Sequence, residues 1–111
     1  MNYLQMAKSS DHIVFATIQQ QKLEKAADML RAIAHPLRMK IIGFIDKQKS
    51  VNVNKIYSSM NLEQSITSQH LHVLRKAGFV ETSREGKFIF YSVAYDTIRH
   101  LNNMIEKHKI K

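Results

Sequence analysis

Between Gln64 and Gln69 stand five side chains that form hydrogen bonds without carrying charge: Gln64, Ser65, Thr67, Ser68 and Gln69. Their amides and hydroxyls offer both donors and acceptors. That chemistry suits base edges in a major groove, where each base pair shows its own order of donors, acceptors and methyl groups. A helix starting here would also aim unpaired backbone N–H groups at a phosphate. Ser65 and Thr67 could instead serve only as caps. Long cations stand nearby at Lys55, Arg75, Lys76, Arg84 and Lys87. They suit phosphate contacts, which position a protein on a duplex without selecting a sequence. Any one of them could equally be a solvated surface charge.

Other chemistries find little material. With no cysteine, a thiolate zinc site, a disulfide and a thiol redox switch are all excluded within this chain. His12, His100 and His108 fall on the two terminal helices described below. His100 and His108 are about 12 Å apart along a helix, too far to share one metal within a chain. They read as ordinary surface or interface histidines, and neither metal nor cofactor is expected. No Ser/His/Asp order, phosphate-binding glycine loop or paired-carboxylate cleft can be assembled, so an enzyme is not expected. Met6, Met29, Met39, Met60 and Met104 read as core filler.

The elements that position the polar segment follow from periodicity and breakers. Ser9, Ser10 and Asp11 announce a long first helix, about 10–33, with an apolar seam at Ile13, Ala16, Leu23, Ala27 and Leu30. So narrow a seam suits a partner helix. Pro36 opens a second helix, whose Leu37, Ile41, Ile42, Phe44 and Ile45 form a core face. A third runs from about Asn54 to Met60, and after a turn at Asn61-Leu62-Glu63 a fourth runs from Gln64 to Lys76, burying Ile66, Leu71 and Leu74. Gly78 stops it. Residues 79–84 and 88–93 read as strands around the tip Arg84-Glu85-Gly86-Lys87. Asp96 is expected to cap a last helix to about Lys109, striped by Ile98, Leu101, Met104 and Ile105.

The 111 residues therefore predict one domain, 1–111, mainly α with a small β-hairpin: a winged helix-turn-helix of about five helices and a two-stranded wing. Its N-terminal and C-terminal helices, about 10–33 and 95–109, are expected to form a dimer interface, since so small a domain leaves apolar surface uncovered. The formal charge of +8 suits a polyanionic partner, and residues 34–76 carry seven basic against two acidic side chains. No stretch is apolar for long enough to span a membrane, and no secretory leader is evident. A soluble cytoplasmic protein is expected.

Three segments carry a resemblance. Ala26–Ile42 (AADMLRAIAHPLRMKII), Ser65–Val80 (SITSQHLHVLRKAGFV) and Arg84–Val93 (REGKFIFYSV) resemble the ArsR/SmtB family of bacterial repressors, over about residues 23–108. The resemblance implies a dimer joined through its first and last helices, binding to a double-stranded operator, and release by an inducer. It also implies that Gln64, Ser65, Ser68 and Gln69 meet DNA, with Arg84 and Lys87 in the wing. His70 stands where the family motif has its histidine, as a packing or phosphate-contacting residue. The chain departs from the metal-sensing members. Asn52 and Asn54 occupy their cysteine positions, and Tyr95, Thr97, His108 and Lys111 match a last-helix zinc site in which only His108 could ligate.

The expected function is a sequence-specific, homodimeric repressor of transcription whose inducer is not a metal. Alternatives are a metal-responsive repressor using interface histidines, a winged-helix module that binds protein, and a non-specific architectural DNA binder. The small, polar face at 64–69 favours DNA over protein, because protein-binding faces are richer in aromatic residues.

Overall fold

The computed structural model describes residues 10–107, with side chains from Thr17 onward. Ser9, Met6, His108 and Lys111 lie outside the described residues, as do the side chains of Asp11, His12, Ile13 and Ala16. The order is α1 (Ser10–Ile33), α2 (Pro36–Gln48), β1 (Val51–Asn52), α3 (Val53–Ser59), α4 (Gln64–Lys76), β2 (Val80–Glu85), β3 (Phe88–Val93) and α5 (Tyr95–Lys107). Five helices were expected, and five are present among the described residues. The sheet, however, has three antiparallel strands in the order β1-β3-β2 rather than two. Val51 and Asn52 pair with Tyr91 and Phe90, so the strand exists because a partner lies forty positions on.

Local chemistry explains the joints. His35 caps α2, its Nδ1 accepting from Leu37 N at 3.1 Å, and Pro36 fills the first turn. Asn52 caps α3 by accepting from Lys55 N at 2.9 Å. At the end of α4, Gly78 takes φ 87 while its N–H donates to Arg75 O and Phe79 N–H to Leu74 O. This paired closure satisfies two orphan carbonyls and buries Phe79 beneath the helix end. In the hairpin, Gly86 at φ 61 is the first of only two turn residues, where such tight turns favour glycine.

The core gathers Ile41 and Ile45 of α2, Ile56 of α3, Leu71 and Leu74 of α4 and Phe79, all fully buried, with Val51, Val80 and Val93 from the sheet. Each such side chain contributes about 1.5–3 kcal/mol on burial. Met29 and Ala32 bring the last turns of α1 onto this core, and Leu101 does the same for α5, with Ile98 and Met104 packed beside it. Of the stripe Ile98, Leu101 and Ile105 expected to face a partner, Ile98 and Leu101 face their own core instead. Ile105 stays exposed. Ile18, Leu23 and Leu30 of α1 also remain exposed, and Leu23 and Leu30, seven positions apart, share a face that Met29 and Ala32 do not.

Several smaller expectations change. Ile66 is 39% exposed, and its place in the core is taken by Thr67. Met39 is 58% exposed and fills no core; Met29 is buried, and Met60 and Met104 are half-buried. Asp96 lies inside the first turn of α5 rather than at its cap, where its charge complements the helix dipole and pairs with Arg99.

Candidate nucleic-acid interface

The helix α4 divides its polar residues by phase. Thr67, Leu71 and Leu74 share the buried stripe at intervals of four and three. Thr67 is fully buried, and its Oγ1 donates to Glu63 O at 2.9 Å. It cannot reach a groove, which corrects its place among the expected contacts. Gln64, Ser65, Ser68 and Gln69 are exposed. The structure thus brings four of the five expected base-reading side chains onto one accessible face, at the N-terminal half of α4. The preceding Glu63 makes no side-chain cap, so its carboxylate does not occupy the first N–H groups of α4.

Cations flank that face. Arg75 and Lys76 are exposed in the last turn of α4, and Lys55 is exposed on α3. Lys87 occupies the hairpin turn with its Nζ 5.5 Å from the Phe88 ring centroid. Arg84 lies within β2, opposite Ile89, one pair back from the turn rather than in it. Strand alternation puts it on the same sheet face as Thr82 and Val80, the face turned toward the helices. The ion pairs among the described residues are Asp28–Arg31, Asp46–Lys49 and Asp96–Arg99. None uses Lys55, Arg75, Lys76, Arg84 or Lys87.

His70 is placed differently from its neighbours. It is half-buried, its ring 4.8 Å from that of His35, and its Nδ1 accepts from Arg38 Nε at 3.3 Å. Burial, then the nearby His35 and Arg38, hold its pKa below the ordinary 6.5. A neutral, packed ring with an occupied Nδ1 is a structural group, so of the two roles expected for His70 the packing one fits. Arg38 and His35 were missed in the sequence as parts of this region; the short string His35-Pro36-Leu37-Arg38 was their only signal. Asn54 was missed too. It is exposed at the start of α3 and lines, with Lys87 and Phe88, a cleft of about 400 Å³ between α3 and the wing.

Two of the positions that matter for metal, Asn52 and Tyr95, are otherwise engaged. Asn52 is the α3 cap. Tyr95 Oη donates to Asp46, which raises the phenol's pKa above its usual value. His100 opens into a cleft of about 580 Å³ between α1 and α5 that is also lined by Lys22, Lys25 and Lys107. Three ammonium groups around one imidazole repel a divalent cation.

Comparison with known proteins agrees with this geometry. Residues 35–82 match the model of the arsR family of bacterial regulatory proteins. The chain is 31% identical over 87 residues to a helix-turn-helix transcriptional regulator of Methanocaldococcus jannaschii, covering 78% of this chain and 98% of that one. It is 38% identical over 76 residues to the transcriptional repressor PagR of Bacillus anthracis, covering 68% and 76%. Among solved structures, NolR from Sinorhizobium fredii superposes with a TM-score of 0.66 at 31% identity, over 81% of this chain and 90% of that chain. PagR superposes with a TM-score of 0.64 at 32% identity, over 77% and 98%. The family match runs from the cap of α2 to the start of β2, and the chain belongs to the arsR family of bacterial regulatory proteins.

Proposed function

We propose that the protein is a cytoplasmic, homodimeric repressor that binds a specific double-stranded DNA operator and is released by an inducer other than a metal. The observation that carries the reading is the exposed face of Gln64, Ser65, Ser68 and Gln69, bordered by cations that form no ion pair among the described residues. In this reading α4 enters the major groove and the four polar side chains meet base edges. Arg75, Arg84 and Lys87 take phosphates. Thr67 and His70 hold the helix from behind. Two relatives named as repressors or regulators by their own descriptions support the role.

The dimer is inferred from Ile18, Leu23, Leu30 and Ile105, large apolar side chains left exposed on the two terminal helices. A second copy related by a two-fold axis would cover them, and would set two α4 helices against an inverted repeat. The non-metal inducer is inferred from Asn52 and Asn54 and from the lysines around His100. Selection of bound duplexes from a random library tests the whole reading. An enriched inverted repeat is expected, with half-sites about 10 base pairs apart centre to centre. Recovery of unenriched sequence at physiological salt would refute sequence-specific binding.

A further inference from the structure

The cluster around His70 joins three helices through one side chain. Arg38, in the first turn of α2, donates from Nη1 to Ala32 O at 2.7 Å and more weakly to Arg31 O at 3.5 Å. These are terminal carbonyls of α1, left without partners by the end of the helix and bearing the negative end of its dipole. From Nε the same guanidinium donates to His70 Nδ1 in the middle of α4. His35, the cap of α2, lies against the other side of the imidazole. The end of α1, the start of α2 and the centre of α4 therefore meet at a planar, rigid fork whose donors have fixed directions.

We infer that Arg38 is a positioning residue for DNA binding: through His70 it holds α4 at a set angle to α1, and a proton on His70 releases that hold. The inference rests on the proposed groove-reading role of α4. A dimer joined through α1 delivers its two α4 helices at a spacing fixed by the angle between α1 and α4, and B-DNA accepts only a narrow range of spacings. A neutral His70 with its proton on Nε2 leaves Nδ1 free to accept from Arg38. Protonation converts Nδ1 into a donor facing another donor, and sets an imidazolium against a guanidinium. The charged and titratable groups acting on His70 are Arg38 from α2 and His35 from its cap. From α1 the cluster receives the backbone carbonyls that Arg38 binds. No carboxylate is among the groups that shift the ring's pKa.

The sign of the pH effect separates this device from general electrostatics. Acidification charges histidines and ordinarily strengthens attraction to a polyanion. Release of α4 weakens it. Operator affinity is to be measured by anisotropy at pH 7.5 and 5.5, on the selected duplex, for wild type, Arg38→Met, His70→Asn and His35→Asn. Asparagine puts an acceptor near the place of Nδ1 without titrating, so His70→Asn keeps a partner for Arg38 and His35→Asn keeps the α2 cap. Wild type and His35→Asn are expected to lose affinity as pH falls to 5.5, by up to about tenfold, the size of effect that one hydrogen bond to a charged group supports. His70→Asn is expected to lose none, and Arg38→Met to be weak at both pH values. In the free protein, imidazole ¹⁵N shifts should show His70 protonated on Nε2 at pH 7.5.

Wild-type affinity that holds or rises on acidification, as in His70→Asn, would overturn the inference, and so would Arg38→Met binding within twofold of wild type at pH 7.5. Should Arg38→Met fail to fold, the contrast between wild type and His70→Asn decides alone. A loss of pH contrast with tight binding intact overturns only the Arg38–His70 device. Failure of wild type to bind any duplex at pH 7.5 overturns the groove-reading role of α4, and the inference with it.

Discussion

Thr67 and Gln69 are two positions apart on one helix, and the structure assigns them opposite consequences. Gln69 is exposed on the outer face of α4. Replacing it with alanine removes an amide able to make a paired contact with a base edge, worth about 1–3 kcal/mol per half-site. In a symmetric dimer the change occurs twice, so the expected loss at the operator is roughly 2–6 kcal/mol, and near zero on unrelated sequence. Thr67 is fully buried. Thr67→Val keeps its shape and removes only the bond from Oγ1 to Glu63 O; that carbonyl still accepts from Thr67 N at 3.0 Å. The cost is therefore about 1 kcal/mol of stability or less, with no polar group stranded. Operator affinity should not change. Anisotropy titrations on operator and scrambled duplexes, with urea melts of each variant, separate the two effects. If Gln69→Ala lost affinity equally on both duplexes, α4 would not be reading bases. If Thr67→Val weakened operator binding without weakening the fold, the phase assigned to α4 would be wrong.

Ile105→Glu combined with Leu23→Glu should turn a dimer into a folded monomer, read as a halved mass in sedimentation equilibrium at micromolar concentration. Both side chains are exposed in the protomer, so a mass already equal to one chain in wild type refutes the interface. Lys87→Ala should weaken specific and non-specific binding alike and lower the salt slope by about one unit per phosphate contact removed; an unchanged slope would take Lys87 off the backbone. Gly78→Ala should destabilise by about 1–2 kcal/mol in a urea melt. The backbone sits at φ 87 while the added Cβ would meet Thr97 only at an ordinary 3.7 Å, so the cost is conformational rather than steric. Because the pKa of His70 is depressed in the folded chain, stability should be full above its ordinary 6.5 and fall as pH drops below that value. In melts at stepped pH, His70→Asn should lose that part of the slope.

The fold was most legible where a local rule had one solution. Gly78 after the apolar stripe of α4, Gly86 between two apolar runs and Pro36 before another each mark a place where few conformations are open. The structure puts breaks at all three. Strand β3 lies at 88–93 as its composition indicated. Strand β1 was not legible, since two residues have no period and their conformation is set by pairing with Phe90 and Tyr91. The confusion of Ile66 with Thr67 has a different origin. Residue type points to Ile66 as core, yet the spacing of 67, 71 and 74 is the better helical period, and the hydroxyl of Thr67 can be buried because it finds a carbonyl one turn back. Where type and phase disagreed, phase decided.

Charge shows most clearly why the site itself could be only half read. Counting by segment places the basic excess at residues 34–76, which includes Lys40 and Lys47 of α2 and Lys49 just past its end, as well as the cations of α3 and α4. What matters to a polyanion is which cations are left unpaired on one side. The three ion pairs seen are all local, three residues apart, and all lie on α1, α2 or α5. Each is exposed and contributes little to stability, but each blunts positive charge away from α4. Lys55, Arg75, Lys76, Arg84 and Lys87 take part in no such pair among the described residues. A sequence shows which carboxylates are near which cations along the chain, and so it carried this half of the pattern. The other half, Arg38 turned inward against His70 across thirty-two positions, arises only once α2 has been laid over α4. It takes one more cation off the surface and makes it part of the joint from which α4 is held.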